Sequence, residues 1–273
     1  MRTGSSLRGL LLALSTALVS GAAVYINGRA VRQFPSPTVY TTGKNLVAAL
    51  LLVFVLLAVV RGTGGRPVAP STTRHRLGLA TIAVIGGAVP FLLFFEGLAR
   101  ASSTDAAFLH KTLVVWASIL AVSVLHEHIG PVHVVAVAAL VAGHAALAGG
   151  IGLGHVGTGE VVILLATLCW AVELIVVKRL VAEIAPATVA TARLTGGVAL
   201  LLAWLGVTGR LHELVALDAS QAAWLAATGV ILALFVTLWF HAIAAARVVD
   251  VTAILVLPAA AGVGGLAQLV ERR

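Results

Sequence analysis

The sequence predicts an all-α polytopic membrane protein with about nine transmembrane helices in two inverted repeats, five spans followed by four. Composition, run length and internal self-similarity carry this prediction. Of 273 residues 60% are hydrophobic and only 10% charged, with a mean hydropathy of +1.08. A soluble domain carries about a quarter charged residues, so this chain cannot cover a water-facing surface and belongs in a lipid bilayer. A single cysteine, Cys169, leaves no internal disulfide and no multi-cysteine metal site. The net charge of +8 comes from basic residues scattered through short loops, with no basic stripe for nucleic acid.

A span needs about 20 mainly apolar residues. Candidates run from Leu7 to Ile26, Thr38 to Val60, Leu77 to Leu98, Asp105 to Leu125 and Val132 to Gly150. Four more run from Val161 to Val177, Ala185 to Val207, Gln221 to Ala246 and Val251 to Val270. These runs are long and unbroken rather than alternating, which indicates helices and not barrel strands. The opening stretch resembles a signal peptide, with two arginines before an apolar run, but the membrane-length segments behind it favour an uncleaved first span. Short Gly-, Pro- and Ser-bearing connections such as PSPT suit turns. Thr104 or Asp105 is expected to cap the fourth span, and Asp250 the ninth.

Lys and Arg set the orientation. With the N-terminus inside, nine of the eighteen lie at cytoplasmic ends, six at outer ends and three within spans. The excess, concentrated between Arg61 and Arg76, places the N-terminus in the cytoplasm of an inner-membrane protein.

The two halves repeat each other. SPTVYTTGKNLVAALLL from Ser36 aligns with APATVATARLTGGVALL from Ala185, placing Pro37 on Pro186 and Lys44 on Arg193 at an offset of 149. The same offset puts Arg29 on Lys178. FEGLARASSTDAAF from Phe95 meets FHAIAAARVVDVTA from Phe240 at an offset of 145, with Asp105 on Asp250. Leu and Ala matches carry little weight in apolar sequence; matched proline, basic and acidic residues carry more. The first unit has five spans, and an odd number inserts its copy upside down, as in many secondary transporters.

These features resemble the EamA-like transporters of the drug/metabolite transporter superfamily. The resemblance rests on the five-plus-five layout, the basic residue after the first span of each half (Arg29, Lys178) and the P-x6-[KR] opening of each second span. The acidic turn LHEHIGP, with Glu127, and its echo Glu271 in LVERR add to it. It implies an exporter or exchanger of small metabolites, amino acids among them, with a central cavity between residues 1–150 and 157–273. The family's tenth helix is expected after Glu271, where the sequence ends at Arg273.

Charged groups inside lipid spans usually face a cavity or a partner. Lys111 lies about six residues into the fourth span, roughly 9 Å deep, and Lys44 at similar depth in the second. Together they suit a carboxylate or other anion, with Glu96 as a counter-ion for Lys111. Snorkelling is the competing account for Lys111, and a structural role at matched helix starts for Lys44 and Arg193. His110 projects about 100° away from Lys111; it is placed to hydrogen-bond substrate or to couple transport to protons. Trp116, Trp170 and His241 complete the expected cavity wall, with interfacial anchoring the alternative for the tryptophans.

Other polar residues have plainer readings. His144 is expected to bond a neighbouring helix, and Glu173 to pair with Lys178 or Arg179. Gly86, Gly87, Pro90 and the Pro258 region either loosen helices that bend or let helices pack closely. HEHIGPVH fails the H-E-x-x-H pattern of a zinc protease because position 130 is Gly. No nucleotide-binding loop or nucleophile–base pair is present, so no cofactor and no enzymatic activity are expected. Two alternatives stay open: a membrane scaffold or sensor derived from a transporter, and an intramembrane enzyme using His110, His144 or the histidine turn.

Overall fold

In the computed structural model, residues 6–63, 72–148 and 157–256 are described. Helix α1 (Leu7–Val31) starts at Ser6, whose hydroxyl accepts the Gly9 N–H. Helix α2 (Pro37–Thr63) opens on the proline, which suits the first helical position because no N–H is needed there. The third span is one rod in three parts: α3 (Thr73–Ile82), a π-helical turn over Ala83–Ala88, and α4 (Val89–Leu98). The fourth breaks at Thr112 into α5 (Ser103–Lys111) and α6 (Leu113–Leu125). After α7 (Pro131–Ala148) come α8 (Thr158–Leu180) and α9 (Pro186–Val207). The short α10 (Leu211–Val215) was not anticipated from sequence; α11 (Ala219–Ala245) and α12 (Val248–Ile254) follow.

Among the described residues, seven helices are long and apolar enough to cross a membrane. They correspond to the first four and the sixth to eighth expected spans. The fifth, α7, is apolar but shorter. The ninth begins as α12, and the rest of it, with the Pro258 region, Glu271 and any tenth helix, lies outside the described residues. The chain is a polytopic all-α membrane protein.

Two expected caps are corrected. Ser102 caps α5, accepting the Asp105 N–H and donating to the Asp105 carboxylate at 2.6 Å. The serine wins because it stands just outside the first turn, where its oxygen reaches back to an orphan N–H. Asp250 does not cap α12, since its carboxylate turns to Arg247 at 2.8 Å. Glu127, from the turn after α6, supplies both oxygens instead, accepting the Val248 and Val249 N–H groups at 3.1 and 3.0 Å.

Packing crosses between the halves. Helix α1 lies along α11, and α8, its counterpart in the repeat, lies along α4; α2 lies along α9. Where rods cross closely, small residues let backbones meet, as membrane packing favours. A Cβ on Gly197 of α9 would collide with the Gly87 backbone in the π-helical turn, and one on Gly97 of α4 would strike Gly159 and Ile163 of α8. The outward faces stay apolar, with Phe54, Leu77, Val134 and Val161 exposed as lipid-facing positions require.

Contacts also define two ends of the bundle. At one, Ser6 bonds the Ala245 carbonyl, Lys178 donates to the carbonyls of Ile243 and Ala246, and His75 bonds Glu183. At the other, the Gln221 amide donates to the Gln33 carbonyl, and Thr38 donates to Glu96.

Candidate functional site

Helix geometry sends two cations into the middle of this bundle from opposite ends. Lys44 stands seven residues into α2 and Arg193 seven residues into α9, each about 10 Å along its helix. Both line one cavity of about 100 Å³ between the halves, room for a cluster of waters or a small organic molecule. Its walls are largely apolar, with the rings of Phe91, Phe94, Trp170 and Trp239 beside aliphatic side chains such as Leu113, Leu174 and Leu232.

Lys44 is buried, and its ammonium donates to Asn27 Oδ1 at 3.1 Å. That oxygen is already shared with the Tyr40 hydroxyl. The ammonium lies 3.8 Å from the Phe95 ring centre, within the range of a cation–π contact. Among the described residues no carboxylate lies within ion-pair distance of it. Two of its three N–H groups therefore have no described acceptor.

Arg193 is neutralised. Its Nε and Nη2 grip both oxygens of Glu173 from α8, the fork-on-carboxylate geometry that only Arg provides. The π-helical turn makes room for this pair. A Cβ on Gly86 would occupy the space of the Glu173 carboxylate. Pro90 has no N–H to return to the Gly86 carbonyl four residues back, and Trp170 Nε1 donates to that oxygen at 3.2 Å. One local rule violation thus fixes an indole on the cavity wall. Functional sites are where π-helical turns recur.

Glu173 was expected to meet Lys178 or Arg179; it does not, because the tertiary fork of Arg193 holds it. Lys178 is occupied with the α11 terminus. Sequence reasoning missed the Glu173–Arg193 pair, and also Asn27, Phe91 and Phe95 around Lys44. One signal was available: Lys44 on Phe95 is repeated as Arg193 on Phe240, at 5.8 Å. Lys44 aligns with Arg193 at offset 149, and Phe95 with Phe240 at offset 145.

The remaining expected residues divide. Lys44, His110 and Trp170 stand on the cavity wall. His110 lies against Phe94 and Trp170, with ring centres 5.3 and 5.1 Å apart, and its Nδ1 is buried without a partner. Lys111 is buried rather than snorkelling, and its ammonium reaches Ser20, itself on the wall, at 3.0 Å. Glu96 is not its counter-ion: Glu96 accepts from Thr38 and pairs with Arg100, just past the end of α4, at 2.7 Å. Trp116 and His241 are not among the cavity-lining residues. Trp116 packs into the core with an unpartnered Nε1, and His241 bonds the Thr237 carbonyl of its own helix. His144's side chain lies outside the described set. Among the described residues no three His, Cys, Asp or Glu side chains converge to hold a metal.

Residues 7–148 and again 157–263 match the EamA-like transporter family. The chain belongs to that family. This EamA-like protein is accordingly of a transporter family and not an enzyme, a multi-pass membrane protein handling a small-molecule substrate. One solved chain, described only as the crystal structure of a protein, shares its fold with a TM-score of 0.70. The likeness covers 97% of this chain and 88% of the other at 15% identity. No curated protein matches the EamA-like chain.

Proposed function

We propose that this EamA-like protein is a secondary transporter, an exporter or exchanger, that moves small organic metabolites by alternating access around the central cavity. One observation carries the reading: Lys44 and Arg193, equivalent positions of the two halves, approach from opposite ends and line one cavity. Sites at mid-depth between inverted repeats are where secondary transporters hold their cargo.

Three features support an inverted pair spanning 1–150 and 157–273, with α7 as fifth span and α12 opening a ninth. The cation–ring contact recurs in both halves. The α1–α11 packing has its counterpart in α8–α4. The α2–α9 contact joins equivalent helices, as an exchange axis requires. The lysine and arginine excess supports an inner-membrane location with the Ser6, Glu127 and Lys178 end in the cytoplasm. His110 stands on the wall with Nδ1 unpartnered, which supports its expected role as a hydrogen-bonding partner of the substrate.

Counterflow tests the reading. Proteoliposomes loaded with pooled amino acids, nucleosides and organic acids are followed by mass spectrometry. The expected result is selective loss of one class, reduced in Lys44→Gln. Folded wild-type protein that moves nothing from any pool overturns it.

A further inference from the structure

Charge inside the cavity sorts one class of small molecule from another. Among the described residues, three basic side chains are buried in or against it, Lys44, Lys111 and Arg193, with a single carboxylate, Glu173. Arg193 takes both oxygens of Glu173 and balances its charge, so no net negative charge is left there for a ligand's ammonium. Two neutral acceptors on the wall are already engaged. Asn27 Oδ1 already receives Lys44 and Tyr40, its Nδ2 donates to the Ala23 carbonyl, and Ser20 Oγ receives Lys111. A positive group entering here meets two lysine amines that have no carboxylate partner and, among the described residues, no free carboxylate. A negative group meets the two N–H groups of Lys44 that have no described acceptor.

We infer that the cavity binds organic anions that carry no ammonium group: a carboxylate seated on Lys44, with an apolar body lying along Phe94, Trp170 and Trp239. This rests on the transport reading for its biological sense, though binding alone decides it. It departs from the amino acids that the family resemblance led us to expect. A zwitterion would bring a cation into a site with positive charge in excess, and within a low-dielectric interior that repulsion outweighs the gain from its carboxylate. The walls argue against a strongly polar body, since a sugar or nucleotide would leave its hydroxyls unpaired against rings. His110 Nδ1, unpartnered on the wall, can accept from a ligand hydroxyl or meet an ordered water.

Ligands that share a body and differ in the head group make the test clean. Purified full-length protein in detergent is titrated with 3-phenylpropanoate, L-phenylalanine and phenethylamine. A second set is 4-methylpentanoate, L-leucine and 3-methylbutylamine. Binding is followed by calorimetry and by the rise in unfolding temperature. A carboxylate from at least one set is expected to bind, its amino-acid partner at least about tenfold more weakly, and its amine not at all. Lys44→Gln is expected to lose carboxylate binding by about tenfold or more, while Lys44→Arg retains it. The wild-type series stands alone should Lys44→Gln fail to fold. An amino acid or amine binding as tightly as its carboxylate, or no carboxylate binding in either set, overturns the inference. A carboxylate that binds but never crosses the bilayer leaves the inference standing and sinks the transport reading instead.

Discussion

Lys44 and Arg193 lie against the same ring: the Lys44 ammonium and the Arg193 guanidinium carbon each stand 5.4 Å from the centre of Phe91. Equivalent residues of the two halves thus meet at one aromatic residue of α4. Their partners differ, because Arg193 has Glu173 while Lys44 has the neutral Asn27. The half-to-half match is therefore broken in charge, and the break leaves the cavity positive.

That asymmetry makes Glu173 a structural linchpin. Removing one partner of a buried ion pair strands the other charge, which costs about 3–5 kcal/mol, whereas replacing both is far milder. Glu173→Gln is expected to lower the unfolding temperature in detergent sharply. Glu173→Gln combined with Arg193→Gln is expected to recover much of the loss. A double variant less stable than Glu173→Gln alone would show that Arg193 keeps its value without the carboxylate.

The glycines of α9 give a contrast within one helix. Gly197 touches the Gly87 backbone, where nothing yields, while a Cβ on exposed Gly206 meets no atom within 4 Å. Gly197→Ala is expected to destabilise by roughly 1–3 kcal/mol or more through overpacking. Gly206→Ala should gain about 0.5–1 kcal/mol from the lower entropy of the unfolded helix segment. Thermal unfolding of the two variants side by side checks both signs.

Where lipid sets the rule, sequence was informative. Eight of the expected spans coincide with described helices because a membrane rod needs a long apolar run, which is a one-dimensional property. The breaks inside those rods were hidden for the same reason. Gly86, Gly87 and Pro90 mark a weak or close-packed point near Ala83–Ala88, but nothing in the apolar run specifies a π-helical turn there. Lys44 emerged through the repeat, and His110–Lys111 through the oddity of charge in an apolar run. Glu173 was paired with its sequence neighbours, and Glu96 with the cation at its own depth. Both true partners depend on how rods are rotated about their axes, which a helix with apolar residues on every side does not announce.

Outside the membrane-spanning helices, pH acts on the turn between α8 and α9. Glu183 accepts from His75 at 2.7 Å and lies 3.9 Å from Arg74. The hydrogen bond from His75, followed by the charges of His75 and Arg74, holds its carboxyl below the usual 4.5. A depressed carboxylate stabilises the fold above its unfolded value, and that contribution disappears as pH falls through the folded value. The wild-type unfolding temperature should therefore drop more steeply below pH 4.5 than that of Glu183→Gln. Parallel acid limbs for the two proteins would rule the contact out as a contributor.

Glu127 carries the last prediction. Its two oxygens hold the first two N–H groups of α12, and Lys178 holds the last carbonyls of α11. The junction between these helices is clamped by opposite charges on its two exposed sets of backbone groups. Each charge sits at the helix end where the macrodipole favours it. Losing a cap costs about 0.5–2 kcal/mol, too little to unfold the protein but enough to fray α12. Glu127→Ala is expected to raise hydrogen exchange of the Val248–Thr252 amides severalfold, leaving α2 and α9 unchanged. Unaltered protection of α12 would mean that burial of Val248, Val249 and Val251, not the carboxylate, holds its first turn.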